Sequence, residues 1–270
     1  MIENNHILAL LAAYKQLSLS QVIDYERLNH YAITHHSTFI EGSTLTLTET
    51  RLLLEQQLTP KGKPLAHSLM VQNHYEALVY ILAEAKEKRS IDVPFIQKIN
   101  SKILRQTGAT YRTVFGDLDS SQGIFRKANV SAGTRYFPNY EKVEKLTQQL
   151  VEKLNPAMQS TDNEKDKLIL SFDAHFDLVS IHPFYDGNGR SSRLLMNFIQ
   201  AYFDLPLAIV FAEDKIEYFD ALEATREQED MIYFRNFMLQ QYEKYLKQEI
   251  EAYRKMEENP KKGSGFSFVF

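Results

Sequence analysis

His182, Asp186, Arg190 and Arg193 lie within one short string, His182-Pro183-Phe184-Tyr185-Asp186-Gly187-Asn188-Gly189-Arg190-Ser191-Ser192-Arg193. It supplies a base, a carboxylate, a glycine-flanked turn and two guanidinium groups. The run Leu194-Leu195-Met196-Asn197-Phe198-Ile199 follows at once and predicts a helix. The order is therefore loop, helix N-terminus, then cations on the first turns. A helix N-terminus presents unpaired N–H groups and a partial positive charge, which suits an anion. Arg190 and Arg193 are three apart and share a helix face. Taken together, the residues describe a polyphosphate site with a base beside it. Each piece alone has a plain structural explanation: His-Pro ends helices, Asp-Gly-Asn-Gly makes a turn, and helix arginines are usually solvated. A turn needs neither two arginines on one face nor a histidine before it, so the conjunction carries the argument.

The string resembles the signature of the Fic (Fido) family, His-x-Phe-x-Asp/Glu-Gly-Asn-Gly-Arg-x-x-Arg, at every specified position. The resemblance extends over most of residues 30 to 240. It implies transfer of AMP from ATP, with Mg²⁺, to a hydroxyl side chain of a target protein or of the chain itself. Such a transfer needs a deprotonated nucleophile, neutralised phosphates and an in-line geometry. His182 suits the proton acceptor, since an imidazole titrates near neutral pH. Asp186 suits Mg²⁺, which takes one or two carboxylates and completes its shell with phosphates and water. The N–H groups of Gly187, Asn188 and Gly189 can approach phosphate closely, and Arg190 and Arg193 supply forked donors. Phe184 is expected in the core, and His175 is expected to pack. A metal triad of His175, His182 and Asp186 is the competing arrangement. It would leave no base and would set two arginines against the bare cation.

Helical patterning surrounds the string and must position it. Of the 270 residues, 44 % are hydrophobic and 24 % charged, enough apolar material for a sizeable core. The net charge of −4 gives no reason to expect nucleic-acid binding. No cysteine is present, which excludes disulfides and thiolate chemistry. The first residues lack the basic start and apolar stretch of a signal peptide, and no segment suits a bilayer, so a cytoplasmic location is expected. Helices are predicted from about Ser20 to Ile40 with Gly42 as stop, from Thr46 to Leu54 behind a Thr46/Glu49 capping box, and after Pro64. Further helices are predicted from Asp92, from Tyr140 to Leu154, and from about Thr161 to Ser180. The motif helix runs to Tyr202, and two more cover Asp214–Thr225 and Asp230–Tyr253. Between Thr107 and Asn139 the pattern breaks, and a hairpin of Phe125–Ser131 with Thr134–Phe137 is expected. The end, Pro260 to Gly265, reads as a tail, and Phe266–Phe270 as a segment that packs back or docks.

Three more segments resemble the same family. The resemblance makes Phe125–Pro138 a flap that holds a target segment by strand addition. It makes Ala132, Gly133, Thr134 and Arg135 the nucleotide-facing turn of that flap. In Glu217-Tyr218-Phe219-Asp220-Ala221-Leu222-Glu223-Ala224 it assigns Tyr218 to flank the nucleotide base; helix packing is the competing explanation. Some relatives carry an asparagine at the position of Arg226, so no base contact is carried to it. Ser37-Thr38-Phe39-Ile40-Glu41-Gly42 resembles the inhibitory motif Ser/Thr-x-x-x-Glu-Gly/Asn, placed ahead of the core as in class II members. A glutamate there can pair with Arg193 where a γ-phosphate should bind.

The expected architecture is mainly α: a Fic-type helical bundle with a short β-hairpin flap and an N-terminal helical extension. Residues 1–90 would carry the inhibitory helix, 91–245 the core, and 246–270 the last helix end and tail. The expected activity is an autoinhibited nucleotidyltransferase. Removal of AMP from a modified protein, a donor other than ATP, and a non-catalytic peptide-binding module stay open beside it. Neither nucleic acid nor membrane is expected as a partner, and the target protein and oligomeric state are left open.

Overall fold

The computed structural model describes residues 4–17, 19, 22, 24–132 and 135–258. Its central element is helix α8, Asn188–Tyr202, in which every residue from Ser191 to Gln200 is buried. A helix closed off on all sides needs neighbours all round, and four provide them. These are α2 (Tyr25–Ile40), α4 (Leu65–Lys86), α5 (Val93–Leu104) and α7 (Glu164–Ile181). Polar groups inside α8 are satisfied locally. Gln200 donates to Ser171 Oγ at 3.0 Å and accepts from the Ala208 N–H at 2.8 Å.

Local sequence sets the boundaries of the neighbours. Thr46 and Glu49 close a reciprocal capping box at the start of α3 (Leu47–Gln56). Asp92 accepts from the Phe95 N–H at 2.7 Å to start α5, whose Phe95, Ile96, Ile99 and Ile103 are fully buried. α2 ends at Ile40, with Glu41 as its C-cap and Gly42 at φ 100°. α6 (Tyr140–Ser160) packs on α5 and α7, and α9 (Lys215–Glu227) packs on α10 (Ile232–Glu258). The core cluster draws Ala32, Ile33, Leu78 and Ile81 from α2 and α4 together with residues of α5, α7, α8 and α10. No described helix is long and apolar enough to cross a membrane.

Several expectations shift. Helix α1 (Asn4–Lys15) was not read from the sequence; it lies against α10 and puts Ile7 and Leu11 in the core. α6 continues through Pro156 to Ser160, and α10 reaches Glu258. An unexpected hairpin pairs β1 (Thr110–Thr113) with β2 (Gly116–Asp119). The expected flap hairpin is shorter: β3 (Ser131–Ala132) pairs with β4 (Arg135–Tyr136), with Ser131 opposite Tyr136. Phe125 and Arg126 form no ladder, because Arg126 N–H bonds the Pro183 carbonyl at 2.9 Å. Gly133, Thr134 and Phe266–Phe270 lie outside the described residues.

Candidate active site

The α7–α8 connection is built by its own side chains. His182 caps α7 in the left-handed region at φ 52°, a conformation in which histidine is enriched among non-glycine residues. Two bonds fold the loop onto α8: Asn188 Oδ1 accepts from Phe184 N–H at 2.9 Å, and Asn188 Nδ2 donates to Phe184 O at 2.8 Å. Phe184 is 1 % exposed and packs on Phe125, as expected. Gly187 starts α8 at φ 78°, where a Cβ would stand 2.7 Å from Asn100 Nδ2. That amide donates to Asp186 O at 2.9 Å and Ser191 Oγ at 3.2 Å.

Asn100 was missed in the sequence. The signal was there: an asparagine on the buried face of α5, between Ile96 and Ile103. Such a residue keeps its place by bonding something specific. Replacing it with leucine strands the Asp186 carbonyl, which costs about 1–3 kcal/mol. Asn100→Leu is therefore expected to lower the thermal midpoint by several degrees; an unchanged midpoint would show that the loop does not depend on it.

The arginines occupy different settings. Arg190 donates through Nη2 to Asp186 Oδ1 at 3.1 Å. Arg193 reaches across to α2: Nε donates to Ser37 Oγ at 2.9 Å, and Nη2 to Ser37 O at 2.9 Å and Glu41 Oε1 at 2.6 Å. Glu41 thereby sits over the first turn of α8, where a Cβ on Gly189 would stand 2.4 Å from Glu41 Oε1. Burial alone would raise the Glu41 carboxyl, but Arg193 and Arg190 outweigh it and hold the group below its usual range. Arg190 Nε and Nη1 and Arg193 Nη1 are buried without an acceptor. Unsatisfied guanidinium donors at a helix N-terminus suit an anionic ligand with several oxygens. The Gly187 N–H is turned to Asp186 Oδ1, which leaves Asn188 and Gly189 the freer pair of the three expected phosphate donors.

His182 lines the same cleft, a cavity of about 630 Å³ also lined by Glu41, Arg135, Gly189, Arg193 and Tyr218. Its ring stacks on Phe137 with centroids 3.7 Å apart at 18°. Burial first, then the charges of Arg126, Arg135 and Arg226, push the imidazole down to about 4 against the opposing Val179 backbone. The neutral base therefore dominates near neutral pH. As pH falls through about 4 the imidazolium accumulates and base function is lost. Any proton transfer through His182 should show an acid limb in kcat/KM near that value, and a limb at 6 to 7 would contradict the environment described. Between about 4 and 6.5 the unfolded chain binds this proton and the folded chain does not, so His182 also makes the fold less stable as pH drops.

The remaining expected residues gather unequally. Tyr218 lies on the cleft wall, 1 % exposed, its hydroxyl 2.9 Å from His175 Nε2. His175 is fully buried against Tyr218 and Phe234, a packing residue as expected. Arg135 comes in from β4 over the Phe137 ring and stands 3.8 Å from Glu223. Asp186 is half-exposed at the cleft edge. No group of three or more metal-ligating side chains occurs among the described residues. One open carboxylate fits a Mg²⁺ ion held mainly by phosphate and water, not a protein cage.

Residues 90–200 match the Fic/DOC family. The chain is 34 % identical over 194 residues to a protein of Drosophila melanogaster called protein adenylyltransferase Fic, which covers 72 % of this chain and 37 % of that relative. The chain thus spans little more than a third of the length of such relatives. In three dimensions it is similar to a Fic-domain-containing signalling protein of Bacteroides thetaiotaomicron, with TM-score 0.78, 24 % identity and coverage of 93 % and 96 % of the two chains. It is also similar to Fic-1 of C. elegans, with TM-score 0.77, 25 % identity and coverage of 93 % and 72 %.

Proposed function

Through residues 90–200 the chain belongs to the Fic/DOC family, and from that premise we propose that it is a protein adenylyltransferase restrained by its own helix α2. Residues 91–245 act as the catalytic core, and residues 1–90 carry the restraint. The observation that carries this reading is Arg193, held by Ser37 and Glu41 in the cleft that His182 also lines.

In the active form ATP lies along the cleft with its phosphates over the N-terminus of α8. The Asn188 and Gly189 N–H groups and the two arginines neutralise phosphate oxygens. Asp186 would hold Mg²⁺, which offsets phosphate charge and steadies the leaving pyrophosphate. Tyr218 closes the base end of the cleft, with Arg135 of the flap above the nucleotide. A target segment pairs along the flap and brings a Ser, Thr or Tyr hydroxyl to the α-phosphorus. His182 takes the hydroxyl proton as oxygen attacks; the α–β phosphoanhydride bond breaks, and pyrophosphate leaves. Glu41 takes the Arg193 donor that the γ-phosphate needs, so ATP binds without reaching an in-line pose.

The test is intact-mass analysis of wild type and Glu41→Gly after incubation with Mg²⁺ and each nucleoside triphosphate in turn. The reading expects AMP-sized additions, larger in the variant, with ATP as donor. Additions from UTP or CTP alone would reassign the donor. Wild type incubated with the pre-labelled variant reports removal of the group, the reverse direction. No nucleotide adduct on the chain or on proteins supplied with it would overturn the transferase reading.

A further inference from the structure

Arg126 is 1 % exposed and forms no ion pair with a carboxylate among the described residues. Its guanidinium is instead shared among backbone carbonyls. Nε donates to His182 O at 2.8 Å, Nη1 to Ala128 O at 2.9 Å, and Nη2 to Pro138 O. Its own N–H donates to Pro183 O at 2.9 Å. Ala128 precedes the short flap ladder and Pro138 follows it, so one side chain ties both roots of the flap to the first two residues of the motif loop.

The His182 carbonyl has an unusual need. The left-handed turn at φ 52° ends α7, and among the described residues no backbone N–H donates to the His182 carbonyl, so its donor comes from a side chain of another segment. Arg126 is that donor. Phe137, next to Pro138, stacks on the His182 ring, so anchoring Pro138 also fixes the plane against which the imidazole rests. His182 Nδ1 is buried, which leaves Nε2 to face the cleft. A shift of either flap root would move Phe137 off the ring and leave the Val179 backbone as its remaining hold.

We propose that Arg126 is a positioning residue for the transfer reaction, locking the flap roots to His182 so that the imidazole presents Nε2 to the incoming hydroxyl. The role rests on the transferase reading above. A purely structural arginine would stabilise the loop without affecting the ring. Two facts favour more: the guanidinium spans the base and the flap roots, and its charge is the first of the three cations that add to burial in keeping the imidazole neutral. A lysine keeps the charge and three donors but gathers them at one atom, which cannot reach carbonyls set around the three nitrogens of a planar guanidinium.

The experiment compares Arg126→Lys and Arg126→Met in the Glu41→Gly background, with the His182 imidazole titration followed by NMR alongside kcat and KM for ATP. Both variants are expected to lower kcat about tenfold to a hundredfold, the scale of a misplaced catalytic group, while KM for ATP stays within about threefold, as expected for an interaction acting on the transition state. Arg126→Met should raise the His182 titration in part, since burial, the larger cause, remains, and Arg126→Lys should leave it low. The proposal is overturned if either folded variant keeps its kcat, or if Arg126→Met leaves the titration in place. Should Arg126→Met fail to fold, Arg126→Lys decides on kcat alone. The titration reads the ring whether or not AMP is transferred, so failure of the transferase reading remains distinguishable from failure of this one.

Discussion

Replacing Glu41 with glycine is expected to raise AMP transfer by about one to two orders of magnitude while making the protein less stable. The two effects have one cause. Arg193 is 4 % exposed at its side chain and Glu41 28 %, so the pair is recessed, with the acid nearer the surface. A hydrogen bond between charged groups of this kind contributes about 1.5–3 kcal/mol, and freeing that donor for a phosphate returns a similar amount, roughly tenfold to a hundredfold in rate. The same loss removes the one carboxylate paired with Arg193 among the described residues, which lowers the thermal midpoint. Mg²⁺-ATP should restore more of that midpoint in the variant than in wild type, because the stabilisation given by a ligand rises with the logarithm of its affinity. Mild acid is no substitute for the mutation. The arginines hold the Glu41 carboxyl below its ordinary range, so the pair survives until pH falls beneath that range. If Glu41→Gly and wild type transfer equally with Mg²⁺-ATP present, Glu41 is a cap of α2 and nothing more.

That pairing shows what a sequence can and cannot carry. The motif from His182 to Arg193 was legible because its spacing is local: loop, helix start and arginine face all follow from one helix register. Glu41 was legible only by resemblance, since 152 residues separate it from Arg193 and no periodicity links them. Helix starts with a chemical signature, such as Asp92 and the Thr46/Glu49 box, were found where the chain places them. α1 carried no such signature and depends on α10 for its burial, so only the tertiary contact reveals it. The flap residue Phe137 and the strap residue Arg126 were hidden for a further reason. Their partners are a ring face and main-chain carbonyls, which leave no pattern in residue types. Asn100 lay between these cases, a polar residue inside an apolar stripe whose partner was unknown.

The second large effect should come from His182, where two substitutions separate the chemistry from the backbone. His182→Ala removes the base and also puts alanine at φ 52°, a left-handed position that costs roughly 1–2 kcal/mol for an ordinary residue. Asparagine tolerates that region far better. His182→Asn therefore keeps the turn, and with it the carbonyl that Arg126 binds, while supplying an amide that cannot accept a proton near neutral pH. Both variants, built on Glu41→Gly, are expected to lose transfer by about a hundredfold to ten-thousandfold, the usual contribution of a positioned general base. Only the alanine variant should lose several degrees of thermal midpoint. ATP affinity should persist in both, because the phosphate donors on α8 and the Arg193 guanidinium are untouched. A binding module without catalysis makes the opposite forecast: no nucleotide adduct before or after substitution, with peptide capture unchanged. The result that would remove His182 from the mechanism is a His182→Asn protein that folds, binds ATP and still gains AMP at the rate of its Glu41→Gly parent.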